Sequence, residues 1–291
     1  MEQTLILRPS IPMEELPCGA LPFLYKTLPG RALLRVLTRP GVSRLAGRFL
    51  DSRLSARAVV GFVHRHEIDL SLYEPEVYAS YNAFFTRRIR PELRPIDPSP
   101  RHLIAPCDCK LSAYPIDGDS RFWIKGAPYT IEELLDGDPV AEAYRGGVCL
   151  ICRLTVDDYH RYCYIDDGFK TNNRFIEGVL HTVQPIALEH CNIYKRNCRE
   201  YTTLHTAHFG DVIQVEVGAL MVGRIRNHQQ AGVYRRGEEK GLFEFGGSTI
   251  VLLLKADAVD IDRDILDNTR QHCETIVRMG EKIGIAAEKS R

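Results

Sequence analysis

The 291-residue sequence lacks an excess of charge of either sign, because 38 basic residues balance 38 acidic ones. This balance argues against a general nucleic-acid-binding protein, whose partner carries dense negative charge. The sequence also lacks an apolar run of about 20 residues, the length needed to cross a bilayer. Internal repeats and low-complexity segments are absent too. We therefore expect a globular protein that is soluble or peripheral to a membrane, with one large domain or a domain and an appendage.

The first residues lack the basic start and apolar stretch of a secretory signal peptide, and include Glu2, Glu14 and Glu15 instead. Nine cysteines are an odd number in a long chain. We therefore expect free thiols in a reducing cytosol rather than a disulfide framework. The first 20 residues contain three prolines and are predicted to be irregular.

Two pairs of cysteines have spacings that invite a metal-site interpretation. Cys149 and Cys152 lie in a strand-like apolar run, where positions three apart face opposite sides, so they are predicted to be small core residues. Cys107 and Cys109 share a strand face, but no second pair at zinc spacing accompanies them. The sequence therefore predicts no metal site.

One segment departs strongly from the overall charge balance. Residues 21–57 contain eight basic residues and one acid, Asp51, and eight minus one gives a local charge of +7. Apolar side chains alternate with these charges, and the pair at Pro40-Gly41 divides the segment into two predicted helices. The pattern is compatible with a solvated helix face. We favour a basic amphipathic segment that lies on an anionic membrane, because the charge has one sign.

The pattern changes from about residue 100 onward. Short β-rich runs alternate with turn residues, and one helix is predicted near Ile131–Leu135, with a capping box at Thr130 and Glu133. The predicted strands cover residues 148–154, 174–183, 211–217, 219–225 and 248–255. The sequence thus predicts an α+β fold: an N-terminal helical membrane-associating layer, followed by a compact, mostly antiparallel β catalytic domain. We place the boundary between regions 1–60 and 61–291.

Near the C-terminus, a glycine pair presents a serine before an apolar run, in Phe245-Gly246-Gly247-Ser248-Thr249. Glycine permits the backbone geometry that a serine needs to attack its own preceding peptide bond. Serine needs a base to accept its proton, and a carboxylate can orient that base. His160, amid acids and aromatics, and Asp108 are the candidates. No Gly-x-Ser-x-Gly elbow surrounds Ser248, which disfavours a serine hydrolase.

Four segments, in order, resemble the phosphatidylserine decarboxylase proenzymes. They are Phe84-Phe85-Thr86-Arg87-Arg88-Ile89-Arg90-Pro91-Glu92-Leu93-Arg94-Pro95-Ile96-Asp97, Ala105-Pro106-Cys107-Asp108, Asp158-Tyr159-His160-Arg161-Tyr162 and Phe245-Gly246-Gly247-Ser248-Thr249. The similarity covers roughly residues 60–285.

The resemblance implies that the chain cuts itself between Gly247 and Ser248. Asp108 and His160 would form a charge relay with Ser248, which would become a pyruvoyl group at the start of a 44-residue chain, 248–291. This covalent cofactor would bind phosphatidylserine as a Schiff base, act as an electron sink while CO2 leaves, and yield phosphatidylethanolamine. The implied partners are this lipid, an anionic membrane surface and the 1–247 chain. A peripheral location on the cytoplasmic face of the cell membrane follows, and a homodimer is left open.

The sequence departs from the family pattern at Cys163, where many members carry a second histidine tied to self-cleavage. Three interpretations stay open: His160 serves both steps, Asp158 assists it, or processing is slow. His181 is a second-ranked substitute. Cys109 replaces a glycine or serine that is common in the family, and we expect no loss of activity from it.

Two other functions remain as alternatives. A pyruvoyl-dependent decarboxylase of a soluble amino acid would share the processing site, but would not need the basic segment at 21–57. A non-enzymatic peripheral membrane homologue would keep the fold without the chemistry, and Cys163 is the residue that keeps this alternative open.

Overall fold

The strand that begins at Ser248 and contains the apolar run is the central strand of a large antiparallel sheet in the computed structural model. The structure describes residues 7–13, 21–37, 40–119, 121–124, 127–178, 197–218, 224–244 and 248–288. The helices are α1 (Leu21–Lys26), α2 (Leu28–Leu37), α3 (Pro40–Leu50), α4 (Arg57–Arg65), α5 (Tyr81–Phe85), α6 (Ile131–Leu134) and α7 (Arg263–Arg270). Short 3-10 helices cover Arg53–Ala56, Leu70–Leu72, Pro91–Leu93 and Pro139–Tyr144.

The strands are short, and most of them lie after residue 100. They are β1 (Ser10–Pro12), β2 (His102–Ile104), β3 (Cys109–Pro115), β4 (Arg121–Ile124), β5 (Ala127–Thr130), β6 (Val148–Leu154), β7 (Arg161–Cys163), β8 (Gly168–Lys170), β9 (Arg174–Ile176), β10 (Arg199–Thr206), β11 (Gly210–Val217), β12 (Ile225–Asn227), β13 (Gly232–Tyr234), β14 (Glu239–Phe243), β15 (Ser248–Leu254), β16 (Val259–Ile261), β17 (Cys273–Val277) and β18 (Lys282–Ala286).

Ten strands form one sheet, in the order β1-β17-β3-β6-β15-β11-β10-β8-β13, with β9 also paired to β10. Two smaller sheets, β12-β14-β7 and β16-β18-β2, and the hairpin β4-β5 complete the described topology. Every strand pairing within the described ranges is antiparallel. The α+β class with a mostly antiparallel β region is therefore confirmed.

The ten-stranded sheet carries a hydrophobic core on each of its faces. Ile250 and Leu252 of β15 belong to one core, which α7 helps to cover. Val251 and Leu253 belong to the other, into which Leu34 of α2 also packs. A strand buried on both sides must be apolar at nearly every position, which is why β15 reads as a continuous apolar run.

Several predicted elements match the structure closely. Strand β6 occupies the predicted residues, and strands β11 and β15 each differ from their predictions by one residue at one end. Helix α6 begins as expected, because the Thr130 hydroxyl accepts a hydrogen bond from the Glu133 backbone N–H at 3.1 Å. The predicted strand at 174–183 is described only to residue 178, where β9 covers its first three residues. Residues 219–223 of another predicted strand lie outside the described residues.

Two expectations about secondary structure were wrong. The N-terminus is not irregular throughout, because β1 pairs with β17 at the sheet edge. Arg8 anchors it through ion pairs to Asp262, Asp264 and Glu281. Helix α7 was not predicted at all, because Ile265 and Leu266 are its only apolar residues and its other positions are polar.

The N-terminal basic segment is helical, but it contains α1 as well as α2 and α3 rather than two helices. The predicted break is close to a helix boundary, because α2 ends at Leu37, yet Pro40-Gly41 begin α3 instead of separating two helices. Its boundary at residues 60 and 61 stays a prediction, although α4 runs continuously across it. No helix in the described ranges has the length and apolar character needed to cross a bilayer.

A buried ion pair fixes the sheet next to Ser248. The Arg153 side chain on β6 donates to Glu274 at 2.9 Å, and both side chains are almost fully buried. Arg153 is the register partner of Thr249 on β15 and of Lys110 on β3, so this pair stabilises the strand ends that carry the candidate site.

Replacing Arg153 by methionine should lower the free energy of unfolding by about 3–5 kcal/mol, because Glu274 would keep a buried charge without its partner. Urea unfolding in a Ser248→Ala background, which keeps every molecule as one uncut chain, measures this difference. The matched control is Arg270→Met, which breaks an exposed ion pair with Asp267 and should change stability by less than about 1 kcal/mol. Equal effects of the two substitutions would contradict the assignment.

Candidate active site

Ser248 is the first residue of β15 and is fully buried. Its hydroxyl oxygen, and that of the adjacent Thr249, make no hydrogen bond within the described part of the chain. Leaving a buried hydroxyl unpaired costs free energy, so two neighbouring cases require an explanation. A reactive role for Ser248 provides one. The three residues before it, Phe245 to Gly247, lie outside the described residues, so the predicted glycine turn is not described.

His160 lies just before β7 and is held in one orientation. Its Nδ1 is 2.9 Å from the Asp158 carbonyl oxygen, and because a carbonyl can only accept, Nδ1 carries the proton. The His160 carbonyl accepts from the Phe243 N–H at 2.9 Å, and the Phe85 ring lies 4.1 Å from the imidazole between centroids. The orientation therefore presents Nε2 as an acceptor.

Burial keeps the His160 imidazole neutral. It lowers the pKa of His160 from 6.5 to about 3, and the nearby charge of Arg87 acts in the same direction. Nε2 is buried and has no hydrogen-bond partner among the residues that the structure describes. The imidazole is therefore unprotonated across the physiological pH range, and its Nε2 lone pair is free to act as an acceptor for a group brought into contact with it.

Asp108 is held by a residue that the sequence analysis did not assign to the site. The Arg94 guanidinium donates from Nε to Oδ1 at 2.7 Å and from a terminal nitrogen to Oδ2 at 2.5 Å. The Met279 backbone N–H donates to Oδ1 at 2.9 Å. The sequence did contain a sign that Arg94 matters, because this residue lies in the first segment that resembles the family. The sequence could not show which carboxylate Arg94 contacts.

Cys163 lies close to Asp108, on the last residue of β7. Its backbone N–H donates to the Pro106 carbonyl at 2.8 Å, which joins β7 to the segment before Asp108. Burial raises the pKa of the Cys163 thiol to about 12, while the charges of Arg236 and Asp108 act on it in opposite directions. The thiol therefore stays neutral at physiological pH and cannot act there as a base.

Asp158 supports His160 through its backbone rather than through its carboxylate. The carboxylate accepts from Lys110 Nζ at 2.7 and 2.8 Å and from the Thr155 backbone N–H at 2.6 Å. The other supporting candidate, His181, lies outside the described residues.

Strand register places Asp108 and Ser248 near the same end of the large sheet, and contacts lead from this end to His160, which precedes β7 of a smaller sheet. Lys110, Arg153 and Thr249 are successive register partners on β3, β6 and β15. Ser248 precedes Thr249, and Asp108 lies two residues before Lys110. Lys110 in turn contacts Asp158, which holds His160. No hydrogen bond in the described ranges joins Asp108, His160 and Ser248 to one another, so their predicted charge relay stays a prediction.

Known proteins match this chain over most of its length. A sequence model described as phosphatidylserine decarboxylase matches residues 81–285, which include every segment of the candidate site. This chain belongs to the phosphatidylserine decarboxylase family. Phosphatidylserine decarboxylase proenzyme 2 of Clostridium acetobutylicum is 46% identical over 267 residues, which cover 91% of each chain.

Further relatives agree with this membership. The phosphatidylserine decarboxylase proenzyme of Ruminiclostridium cellulolyticum is 40% identical over 272 residues, 91% of each chain. That of Clostridium perfringens is 40% identical over 266 residues, 89% of this chain and 90% of the relative. The resemblance that the four sequence segments indicated is confirmed.

Acid should unfold this protein partly through His160. Between pH 6.5 and about 3 the unfolded chain binds a proton at this histidine and the folded chain does not, so stability falls as the pH falls through this range. In a Ser248→Ala background, where every variant is one uncut chain, His160→Gln should lose less stability as the pH falls, measured by urea unfolding at several pH values. The matched control is His64→Gln, which replaces an exposed histidine in the same way. An unchanged slope in His160→Gln would contradict the neutral buried state.

Proposed function

We propose that this chain is a self-processing decarboxylase that converts phosphatidylserine to phosphatidylethanolamine and CO2. The observation that carries the proposal is the buried, unpartnered Ser248 hydroxyl at the start of β15, in a family whose members are named proenzymes. The neutral His160 imidazole, whose Nε2 is also unpartnered, supplies the base.

Self-cleavage uses only groups of this chain and water. Ser248 Oγ attacks the carbonyl carbon of Gly247, the C–N bond breaks, and an ester and a free Ser248 amine form. Removal of the Ser248 Cα proton then breaks the Cβ–Oγ bond, and chain 1–247 leaves with a carboxylate. Water displaces ammonia from the remaining dehydroalanine, which leaves a pyruvoyl group. This group supplies a carbonyl that can hold the substrate amine and accept the electron pair released with CO2.

His160 is the residue that we assign to proton transfer in self-cleavage as well as in decarboxylation. Cys163 is neutral and cannot replace the second histidine of other family members. The Asp158 carboxylate is occupied by Lys110 and Thr155, so it assists through its carbonyl, which orients His160. Asp108, held by Arg94, contributes negative charge beside Cys163.

The N-terminal helices provide the membrane contact in this proposal. Large apolar side chains are exposed on them, including Leu28 (76%), Leu45 (69%) and Val60 (66%). Arg31, Arg35, Arg48, Arg53 and Arg57 are exposed on the same segment. Exposed apolar groups interleaved with arginines fit the surface of an anionic bilayer, which also presents the substrate. A soluble amino acid substrate would give these side chains no role. We therefore place the protein peripherally on the cytoplasmic face of the membrane.

Replacing Ser248 by alanine should leave a single uncleaved and inactive chain, because no hydroxyl remains to attack Gly247. Intact mass spectrometry of the purified wild type should find two chains, the smaller with 44 residues and a pyruvoyl mass at its N-terminus. Ser112→Ala, which changes a buried serine elsewhere in the same sheet, is the matched control and should be cleaved normally.

Normal decarboxylation by uncleaved Ser248→Ala would overturn the mechanism. A single unprocessed wild-type chain would favour the non-enzymatic alternative. Restored cleavage in Cys163→His would then identify the missing imidazole as the defect.

Replacing Arg31, Arg35, Arg48 and Arg53 by glutamine should weaken binding to phosphatidylserine-containing vesicles. Each arginine near an anionic surface contributes about 1 kcal/mol, so the loss should reach roughly a thousand-fold at low salt. Vesicle sedimentation measures it. The control replaces Arg226, Arg235, Arg270 and Arg278, which are exposed arginines outside the N-terminal helices, and should bind like the wild type. Unchanged binding in the N-terminal variant would place the membrane contact elsewhere, and equal loss in both variants would show that binding follows the overall charge instead.

A further inference from the structure

Three buried cysteines meet beside the candidate active site. The Sγ atoms of Cys107, Cys109 and Cys152 all lie within 4.8 Å of one another, and the three residues are almost completely inaccessible to solvent. The sequence separates Cys152 from the other two by more than 40 positions, so only the fold brings them together.

Strand register explains the cluster. Cys109 begins β3, and Cys152 on β6 pairs with Leu111, two positions farther along β3. Side chains two positions apart share a face of a strand, so Cys109 and Cys152 are diagonal neighbours in the same core. Cys149 lies on the opposite face of β6, in the other core, which confirms the predicted separation of Cys149 from Cys152.

The sulfur atoms of the cluster have few alternative partners. Two other cysteines, Cys198 and Cys273, donate hydrogen bonds to backbone carbonyls. The three clustered sulfurs make no such bond to nitrogen or oxygen atoms in the described part of the chain. The three sulfur atoms therefore face one another, are enclosed by apolar side chains, and could serve together as soft metal ligands.

We propose that Cys107, Cys109 and Cys152 bind one copper(I) ion. With metal–sulfur bonds of about 2.3 Å, three sulfurs around a metal lie about 4.0 Å apart, so little movement from the present separation is needed. Soft sulfur ligands favour copper(I) and zinc. Structural zinc takes four ligands, whereas the described residues offer three here, and the nearby Asp108 carboxylate is occupied by Arg94 and Met279.

The binding step conserves electrons. Each thiol that becomes a thiolate ligand releases its proton to water, and copper stays in the +1 state. Cys107 and Cys109 flank Asp108 in the chain, so a bound ion would fix the backbone on both sides of this carboxylate. The site is independent of self-cleavage, because none of its ligands takes part in the proposed peptide-bond chemistry.

The test measures copper uptake by the reduced full chain without oxygen, in competition with a coloured copper(I) chelator. The wild type should take up one ion per chain. Cys109→Ser and Cys152→Ser should bind at least tenfold more weakly. Cys149→Ser is the matched control, because it removes a buried thiol from the same strand, and it should bind like the wild type. X-ray absorption of the loaded wild type should find three sulfur neighbours.

Several outcomes would overturn the proposal. They are no copper uptake by the wild type, and equal copper uptake by the wild type and all variants. Tighter binding of zinc with four ligands, or a 2 Da mass loss from a disulfide within the cluster, would also overturn it. Near-ultraviolet circular dichroism checks that each variant is folded. Cys152→Ala replaces the serine variant if that one is not. Because the experiment measures bound copper, a failure to bind copper would not argue against the proposed decarboxylase function. A failure of the decarboxylase proposal would likewise not argue against copper binding.

Discussion

The structure depends on one constraint, the burial of β15 on both faces and along both edges. Its backbone pairs with β6 on one side and β11 on the other, and its side chains enter both hydrophobic cores. A strand in this position can accept polar groups only at its ends. Ser248 and Thr249 lie at such an end, where the adjacent strand β6 contributes Arg153 and the next strand, β3, contributes Lys110. Ser248 is therefore placed by the packing of the core rather than by a surface loop.

Burial also determines the electrostatics around this strand end. Charged groups that lie there are matched to a partner of opposite charge: Arg153 with Glu274, Lys110 with Asp158, and Arg94 with Asp108. His160 and Cys163 instead remain neutral, because burial moves the pKa of each toward its uncharged form. The site thus combines fixed ion pairs with a neutral imidazole, whose Nε2 can act as an acceptor, and a thiol that stays protonated.

The sequence was informative where structure is determined locally. Strand β6 was predictable from its apolar run, and the start of α6 from the capping residues Thr130 and Glu133. Contacts between distant segments were not predictable from one sequence. The pairing of Arg94 with Asp108 depends on how a 3-10 helix meets β3, and the approach of Cys152 to Cys109 depends on the register of two strands. Motif resemblance identified the catalytic candidates, but it carries no information about which hydrogen bonds join them.

The position of β15 has a consequence for how a cleaved molecule could refold. The segment 248–291 supplies the middle strand of the large sheet, the strand β17 between β1 and β3 of the same sheet, and helix α7. In the uncut chain these elements are tethered to their partners, and their assembly is a first-order event. After a cut before Ser248, unfolding would release two molecules, and recovery would depend on their concentrations and on re-forming the sheet around a missing centre. The uncut chain is then the form that folds efficiently. The cut form stays folded because it unfolds slowly.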